Sequence, residues 1–447
     1  MKDTPIPYDV VSRHISESRI RNVGRASIRE IKRLINDIEK ETGLKYIRME
    51  MGVPGLDAVE IGVKAEIAAL EAGVAAVYPE IEGIAPLKKE ASRFAKLFLD
   101  IDVEEAHCVP TVGSMQGGFT SFLTLERFHK GKDTILFMDP GFPVHRQQHI
   151  ILGQKFESFD IYDFRGEKLR DKLMSYFSKG NIHSMLYSNP NNPSWVCLTH
   201  KELKIIGELA SRFNVAVIED LAYFAMDFRK DYSRPGKPPY QPTAAKYTDN
   251  YILLISSSKA FSYAGQRVGL MLISDHLYEQ KSEDLLRYYT TDIFGRAMIY
   301  GTLYALSAGT SHSAQYALAA MLKASNDGTY NFVEVVKEYG RKAAIMKRLF
   351  TENGFRIVYD MDEQDPIADG FYFTVCYPGF SGEQLVEELL YYGISCIALT
   401  ITGSSRSEGI RACVSLVRRS QFPELETRLK RFYEQHPLKN RKVPGRS

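Results

Sequence analysis

Six short apolar runs between Glu105 and Ser274 constrain the fold of this 447-residue chain more than any other feature. In order they read HCVPTV, TILFMDP, SMLYSNP, VAVIED, YILLISS and RVGLMLI, and segments of helical pattern alternate with them. The runs are bounded by Gly, Pro, Asn or Asp and are nearly continuous in apolar character, which is typical of strands covered on both faces. The pattern predicts an α/β fold with a mostly parallel sheet. Functional residues are expected at the carboxyl ends of such strands.

The segments on either side of this core have different patterns. Ser27–Thr42 carries an apolar stripe at helical spacing that ends at Gly43, which predicts an amphipathic helix. Beyond Thr310, a long helical stretch through about Phe350 precedes the strand-like segments FRIVYD, FYFTVCY, ISCIAL and IRACVSL, with another helical pattern at 382–392. This arrangement predicts a smaller α+β domain.

Chain length also indicates more than one domain, because 447 residues exceed the size at which single cores usually stop growing. We expect residues 1–50 to form an N-terminal segment that joins the small domain, 51–315 the large domain, and 316–447 the small C-terminal domain. The polar, proline-rich segment Lys230–Pro242 is interpreted as an excursion loop, because strand-like sequence resumes at Tyr251.

Composition narrows the class of protein rather than its activity. A formal net charge of +2 argues against a nucleic-acid or membrane partner, and the short basic tail Lys439–Arg446 is predicted to be solvated. The five cysteines are scattered and never form C-x-x-C, which argues against a disulfide framework or a zinc site. No signal-peptide core or membrane-length apolar run occurs in the sequence. These features predict a soluble, cytoplasmic protein without a metal.

The most informative stretch is SSSKAFSYAGQRVG, which follows the apolar run YILLI. Most lysines are surface charges, but a lysine at a strand end among small residues and hydroxyls can be desolvated enough to act as an amine nucleophile. Ser256 lies three residues before Lys259, and Arg267 lies eight residues after it. A hydroxyl and a guanidinium around one lysine suit an aldehyde cofactor that carries a phosphate.

A second candidate element is VIEDLAYFAMD, where an apolar run ends in Asp220. Asp220 has a common structural interpretation as a helix N-cap, and Tyr223 has one as a packing residue. The chemical alternative is a carboxylate that keeps a pyridine nitrogen protonated, so that the ring accepts electrons from a breaking bond. Tyr223 would then donate a hydrogen bond to a phenolic oxygen on that ring.

Two loops complete the candidate site. SNPNNPSW, at Ser188–Trp195, is either ordinary turn sequence or a rigid loop that fixes the amide of Asn192 beside a cofactor. VPTVGSMQGG, at Val109–Gly118, places glycines after a strand and at the start of a predicted helix. Backbone N–H groups at such a position suit a phosphate, although a glycine loop is a weak signal by itself.

These segments resemble the class I/II aminotransferase family of fold type I pyridoxal-phosphate enzymes. The similarity runs in order from about Gly52 to Arg411, and the spacing S-x-x-K-(x)7-R-x-G is its most specific part. The resemblance implies a large domain with a mostly parallel mixed sheet flanked by helices, plus a smaller α+β domain. It also implies pyridoxal 5'-phosphate as the cofactor, held by Lys259 as a Schiff base.

Around the cofactor ring, the resemblance assigns a role to each matching residue. Asp220 matches the partner of the pyridine nitrogen, while Asn192 and Tyr223 match the contacts to the phenolic oxygen. Phe142 matches the aromatic residue stacked on the ring, where many members have Trp or Tyr. His145 matches a neighbour of the aspartate.

Around the phosphate, the resemblance implies a cup made by Ser256, Arg267 and the backbone of Ser114 and Met115. Tyr78, in VYPEIEGI, matches a tyrosine that reaches the phosphate across the interface of a homodimer. Each active site is therefore expected to need two chains.

On the substrate side, the resemblance implies that Gly52 lies at the mouth and that Arg411 clamps the α-carboxylate, with Asn192 also in contact. A structural carboxylate partner for Arg411 is the alternative. The chain departs from the family pattern Asn-Pro-Thr-Gly, because Ser194 and Trp195 follow Pro193.

The implied reaction is transamination between an amino acid and a 2-oxo acid, with Lys259 moving the proton. Elimination by a carbon–sulfur lyase, or another lyase reaction on amino acids, is an alternative on the same scaffold. A non-catalytic protein that keeps the fold and the cofactor is a more remote alternative, because the complete set of candidate residues is present. The identities of the amino donor and acceptor stay open.

Overall fold

The structure is a computed structural model that describes residues 3–438, so the basic tail Lys439–Arg446 lies outside the described residues. Its α-helices, in chain order, are α1 Tyr8–Glu17, α2 Ile28–Thr42, α3 Glu60–Glu71, α4 Ala85–Phe94, α5 Gly113–Leu125, α6 Pro143–Leu152, α7 Lys168–Phe177, α8 His200–Phe213, α9 Ser257–Ala260, α10 Asp275–Glu279, α11 Phe294–Arg296, α12 Tyr304–Ser307, α13 His312–Asn326, α14 Phe332–Glu352, α15 Gly382–Tyr391 and α16 Phe422–Gln435. None of the described helices is long and apolar enough to cross a membrane.

Within residues 3–438, the strands form one large sheet and three smaller ones. In chain order they are β1 Ile47–Arg48, β2 Cys108–Thr111, β3 Thr134–Asp139, β4 Lys155–Asp160, β5 Ile182–Ser188, β6 Ala216–Leu221, β7 Tyr251–Ser256, β8 Gly269–Ile273, β9 Arg356–Ile357, β10 Met361–Asp362, β11 Asp365–Pro366, β12 Tyr372–Cys376, β13 Ile394–Ser395, β14 Ile397–Ala398 and β15 Ile410–Cys413. The large sheet has the order β2-β8-β7-β6-β5-β3-β4. Only β8 runs antiparallel to its neighbours, so the predicted mostly parallel α/β sheet is confirmed.

All six predicted core strands are present, but the sequence prediction missed β4, whose sequence is KFESFD. This strand lies at the edge of the sheet, and its first four residues are exposed or half-buried. An edge strand with one uncovered side can carry Lys and Glu, so it lacks the apolar run that marks the buried strands. Polar composition therefore concealed it.

The single long helix predicted through Phe350 is wrong, because the chain forms two helices, α13 and α14, in that stretch. The break contains Gly328, which has a left-handed φ of 71°. The backbone N–H groups of Thr329 and Tyr330 both donate to the carbonyl of Ala324, which satisfies the end of α13. Helical periodicity continues across the break in the sequence, so the pattern alone did not locate it.

The smaller sheet, β14-β15-β12-β9, carries the C-terminal strands. The N-terminal helix α2 begins with a capping box at Ser27 and ends at Gly43, as predicted. Its buried face belongs to the same hydrophobic cluster as α15, and β1 pairs with β13. The predicted boundary between residues 315 and 316 falls inside α13, which packs against α3 and α4.

The large sheet places the candidate residues at one edge. Strands β3, β5, β6 and β7 run in the same direction, so their carboxyl ends lie together. Asp220 is the next-to-last residue of β6, and Ser256 is the last residue of β7. Phe142 follows β3, and Asn192 follows β5. Strands β12 and β15 of the smaller sheet bring Tyr372 and Arg411 to the same place.

Candidate active site

A cavity of about 200 Å³ lies where the two sheets meet. It is lined by Ile28, Gly52, Ser114, Met115, Phe142, His145, Ser188, Asn192, Asp220, Ala222, Tyr223, Ser256, Ser258, Lys259, Arg267, Tyr372 and Arg411. The structure thus brings together all the predicted site residues except Tyr78, which is 91% exposed and lies outside this cavity. Residues from distant parts of the sequence therefore share one small volume.

Lys259 lies in the short helix α9, directly after β7. Its Nζ donates a 2.6 Å hydrogen bond to the backbone oxygen of Gly52. Burial lowers the pKa of the Lys259 amine to about 8, and the nearby Arg267 and Arg411 act in the same direction. A lysine with this pKa is partly neutral near physiological pH, so it can act as a nucleophile and as a base.

Asp220 is buried at the end of β6, and burial raises the pKa of its carboxyl group to about 7. Its Oδ1 accepts a 3.2 Å hydrogen bond from the backbone N–H of Ala222. A turn follows β6 rather than a helix, so Asp220 is not a helix N-cap here. A buried carboxylate with one backbone donor is costly to ionise, and a cationic partner would stabilise it.

Arg411 is 1% exposed, yet no carboxylate within residues 3–438 forms a salt bridge with it. Its Nη1 donates to Oδ1 of Asn192 at 3.1 Å, and its Nη2 donates to the backbone oxygen of Glu50 at 2.5 Å. The guanidinium carbon lies 4.5 Å from the ring centroid of Tyr372, and Nε has no hydrogen-bond partner. A buried cation without a carboxylate is suited to an anionic ligand.

Tyr223 is buried, and its hydroxyl lies 2.8 Å from the hydroxyl of Tyr372. Trp195 packs against both rings, with centroid distances of 5.4 Å to Tyr223 and 6.3 Å to Tyr372. A Cβ atom on Gly370 would lie 1.8 Å from the Trp195 ring. The tryptophan that departs from the family pattern is therefore a core residue behind Tyr223.

The loop that carries Asn192 is held by its own side chains. Oδ1 of Asn191 accepts hydrogen bonds from the backbone N–H and the hydroxyl of Ser194, at 3.2 and 2.7 Å. The hydroxyl of Ser188 accepts from the backbone N–H of Asn192 at 3.2 Å. The peptide bonds Asn189–Pro190 and Asn192–Pro193 are cis. These contacts fix the Asn192 amide against the Arg411 guanidinium.

The opposite end of the cavity is built from a helix N-terminus, two serines and Arg267. Helix α5 begins at Gly113, where a Cβ atom would lie 2.7 Å from Nη2 of Arg267. A Cβ there would displace the guanidinium, and the φ of 67° favours glycine. The hydroxyl of Ser256 accepts from the backbone N–H of Ser258 at 3.1 Å. Helix N–H groups, hydroxyls and a guanidinium are the donors that bind a phosphate.

Sequence reasoning left several contributors to the cavity unassigned, among them Ile28, Tyr372 and Glu50. Ile28 is the first residue of α2, and Tyr372 is an inward-facing strand residue in the aromatic segment FYF. Glu50 takes part through its backbone oxygen, which no sequence pattern reveals. His145, predicted beside the aspartate, is buried in the cavity wall with an unpartnered Nδ1, and burial lowers its pKa to about 4.

The donor set fits one extended ligand group with a phosphate at one end and a basic aromatic nitrogen at the other. The Arg267 end could provide donors to a phosphate, and Asp220 could provide a carboxylate to a ring nitrogen. Lys259 lies in the same cavity, and its pKa is lowered to about 8. Phe142 lines the wall with an apolar ring suited to stacking. Pyridoxal 5'-phosphate has these features.

Comparisons with known proteins agree with this chemistry. The family model described as aminotransferase class I and II matches residues 45–429. A probable aspartate aminotransferase of Methanocaldococcus jannaschii is 23% identical over 401 residues, which cover 88% of this chain and 93% of that protein. A glutamate-pyruvate aminotransferase of Escherichia coli is 28% identical over 199 residues, or 44% of this chain and 46% of that protein.

Solved structures agree on the fold. An alanine aminotransferase from Pyrococcus furiosus aligns with a TM-score of 0.74 at 20% identity, over 92% of this chain and 97% of that one. An aspartate aminotransferase from Thermus thermophilus with maleate aligns with a TM-score of 0.72 at 16% identity, over 94% and 98%. The predicted fold type I architecture is confirmed. The chain belongs to the aminotransferase class I and II family, and it is a pyridoxal-phosphate-dependent transaminase.

Proposed function

We propose that the cavity around Lys259 is the site where an α-amino acid and a 2-oxo acid exchange their amino group. The observation that carries the proposal is the position of a half-buried lysine, with a pKa lowered to about 8, in one cavity with a buried carboxylate and a buried arginine that forms no salt bridge within residues 3–438. When bound, pyridoxal phosphate supplies an aldehyde for amines and an electron-accepting ring. The relatives described above are all named aminotransferases, which favours transfer over the lyase and non-catalytic alternatives.

In this proposal Lys259 has two roles. Lys259 would hold the cofactor covalently, and its amine, when free, would accept and return a proton at the substrate α-carbon. The lowered pKa supports the second role, because an amine with a pKa near 8 both accepts and returns a proton near neutral pH. Desolvation is the main cause of that pKa.

The cofactor ring would be held by four side chains, those of Asp220, Asn192, Tyr223 and Phe142. Burial makes the Asp220 carboxylate a strong partner for a protonated ring nitrogen, because low-dielectric surroundings strengthen the ion pair. Asn192 and Tyr223 would contact the phenolic oxygen, while Phe142 stacks on the ring face. The phosphate would lie among Ser256, Arg267 and the backbone N–H groups of Ser114 and Met115.

Arg411 would bind the α-carboxylate of the substrate, with Asn192 and the backbone of Gly52 at the same mouth. This role is supported by the buried Arg411 guanidinium, whose hydrogen bonds within residues 3–438 go to the side chain of Asn192 and the backbone oxygen of Glu50. A guanidinium binds a carboxylate through two parallel hydrogen bonds, so it fixes the direction of the α-carbon bonds. All α-amino acids share this group, so Arg411 defines the substrate class and leaves the side chain open.

We also propose a homodimer in which Tyr78 reaches the phosphate of the neighbouring site. Near the phosphate end, Gln116 donates a 2.7 Å hydrogen bond to the hydroxyl of Ser307. This serine closes α12, where Tyr304 is 55% exposed, and Val77 beside Tyr78 is 60% exposed. Large exposed apolar residues of this kind support a second chain covering them.

We also propose a cytoplasmic location. The five scattered cysteines are free where the structure describes them, as is typical of proteins in a reducing compartment.

The experiment that tests the proposal uses purified protein loaded with pyridoxal phosphate. Borohydride reduction should abolish its visible absorption band and leave the cofactor on the peptide that contains Lys259. In a separate assay with unreduced protein, a panel of aspartate, glutamate, alanine and aromatic amino acids should aminate 2-oxoglutarate or pyruvate, with one keto acid formed per amine transferred. A matched Lys259→Ala protein should bind cofactor without covalent attachment and lose turnover.

Two outcomes would contradict the proposal. A protein that stays colourless with added cofactor would remove Lys259 from its assigned role. Release of ammonia from a cysteine conjugate, without amination of any acceptor, would replace transfer by elimination.

A further inference from the structure

A hydrogen bond between two tyrosine hydroxyls connects the large sheet with the smaller sheet inside the candidate site. Tyr223 follows β6 of the large sheet, Tyr372 lies in β12 of the smaller sheet, and their hydroxyl oxygens are 2.8 Å apart. Both side chains are buried, at 4% and 2% exposure. The pair is therefore largely shielded from water, and one tyrosine comes from each sheet.

The surroundings leave the Tyr372 hydroxyl little freedom. A Cβ atom on residue 52 would lie only 1.9 Å from it, so Gly52 provides the space that this hydroxyl occupies. The Arg411 guanidinium lies over the face of the Tyr372 ring at 4.5 Å. Cys413, whose thiol pKa is raised by burial, also lies near both tyrosines.

Counting protons fixes the direction of this hydrogen bond. Each tyrosine hydroxyl has one proton to donate. In the proposed function Tyr223 donates its proton to the phenolic oxygen of the cofactor. Tyr223 then has only lone pairs left for its neighbour, so Tyr372 must be the donor across the 2.8 Å contact.

We propose that Tyr372 is a positioning residue that acts on the cofactor through Tyr223 and connects it to the substrate-binding Arg411. The inference rests on the proposed roles of Tyr223 and Arg411. Donation from Tyr372 polarises the Tyr223 hydroxyl, so that Tyr223 becomes a stronger donor in turn. The Arg411 cation on the ring face makes the Tyr372 phenol a better donor. A carboxylate bound to Arg411 offsets that charge, so substrate binding is communicated to the phenolic oxygen.

The test is a spectroscopic pH titration of cofactor-loaded protein, which does not depend on turnover. A donor at the phenolic oxygen weakens that oxygen's hold on the proton that it shares with the Lys259 nitrogen. Tyr223→Phe should therefore raise the pKa of the visible band. Tyr372→Phe should raise it in the same direction by about 0.5 pH unit, since it keeps the ring and removes only the polarising hydroxyl.

The decisive variant is the double replacement. In a Tyr223→Phe background, Tyr372→Phe should cause no further shift, because its effect passes through the missing hydroxyl. Tyr392→Phe is the matched control: this buried tyrosine bonds to Gln435, away from the cavity, and its replacement should leave the spectral pKa unchanged.

The outcomes separate this inference from the proposed function. No visible band in the parent protein would contradict the role of Lys259 and remove both proposals. A normal band whose pKa is unaffected by Tyr372→Phe would overturn the inference alone. An equal shift in the presence and absence of the Tyr223 hydroxyl would also overturn it, because Tyr372 would then act by another route.

Discussion

The two ends of the cavity are built in opposite ways. At the ring end, Asp220, Asn192 and Arg411 are all buried, and their partners come from the same chain. At the phosphate end, Arg267 is exposed and Met115 is 37% exposed. The ring end thus has the low-dielectric environment in which charges act strongly, while the phosphate end is open to solvent. In the proposed homodimer, a second chain would cover the phosphate end, whereas the ring end needs only residues of its own chain.

The largest effect is expected at the ring end, from Asp220→Ala. The change removes the carboxylate that would keep the ring nitrogen protonated, and loss of one preorganised electrostatic group lowers turnover about 10²–10³-fold or more. Covalent attachment of the cofactor should persist because Lys259 is unchanged, and the visible band measures that attachment. Asp220→Asn keeps the side-chain volume and should lose a similar amount of turnover. Turnover near that of the parent would leave Asp220 with a structural role only.

Arg411→Lys should come next, with kcat/KM for α-amino acids reduced about 100-fold, because a lysine cannot reproduce the two-point contact with a carboxylate. Amines without a carboxylate should be affected little, and the visible band should remain. The comparison of the two amine classes is the measurement. Equal losses for both classes would mean that Arg411 organises Asn192 and Glu50 rather than the substrate.

A smaller effect is expected at the open phosphate end. Tyr78→Phe should weaken cofactor binding about tenfold, the effect of one hydrogen bond to a charged group. Mixing Tyr78→Phe subunits with Lys259→Ala subunits gives hybrid dimers that pair an intact Lys259 site with an intact Tyr78 from the neighbour. Such hybrids should regain one site of parental affinity per dimer, measured by equilibrium dialysis. Failure to regain it would show that Tyr78 does not serve the neighbouring chain.

Residues marked by a local sequence pattern could be predicted, whereas residues that matter through long-range contacts could not. Lys259 follows β7 and Asp220 lies near the end of β6, and the apolar runs of both buried strands are visible in the sequence. The resemblance assigns the residues around them. Tyr372 was missed because an aromatic residue in a strand is ordinary core sequence. Its importance depends on a contact between residues 149 positions apart, which local pattern does not encode. The edge strand β4 was missed for the opposite reason, since exposure allowed it polar residues.

Glu219 is the natural control for Asp220, because successive residues of β6 point to opposite faces of the sheet. The Glu219 side chain is fully buried and accepts hydrogen bonds from the hydroxyl of Thr243 at 2.6 Å and the backbone N–H of Ala244 at 3.2 Å. It does not line the cavity around Lys259. Burial nevertheless raises its pKa from 4.5 to about 7, much as burial raises the pKa of Asp220.

Glu219→Gln should therefore have the smallest effect on turnover and a clear effect on stability. A carboxyl group whose pKa is raised by folding contributes its full stability below the unfolded pKa of 4.5, and this contribution is lost as pH rises through about 7. The difference corresponds to about 3 kcal/mol between pH 4.5 and pH 8. Denaturant unfolding of the cofactor-free protein should show that the free energy of unfolding of Glu219→Gln declines less over this range than that of the parent. The Asp220 carboxyl titrates over the same pH range in both proteins, so the difference between the two proteins isolates the effect of Glu219.

An unchanged pH dependence would mean that Glu219 is ionised in the folded protein. A large loss of turnover would show that both faces of β6 serve the site.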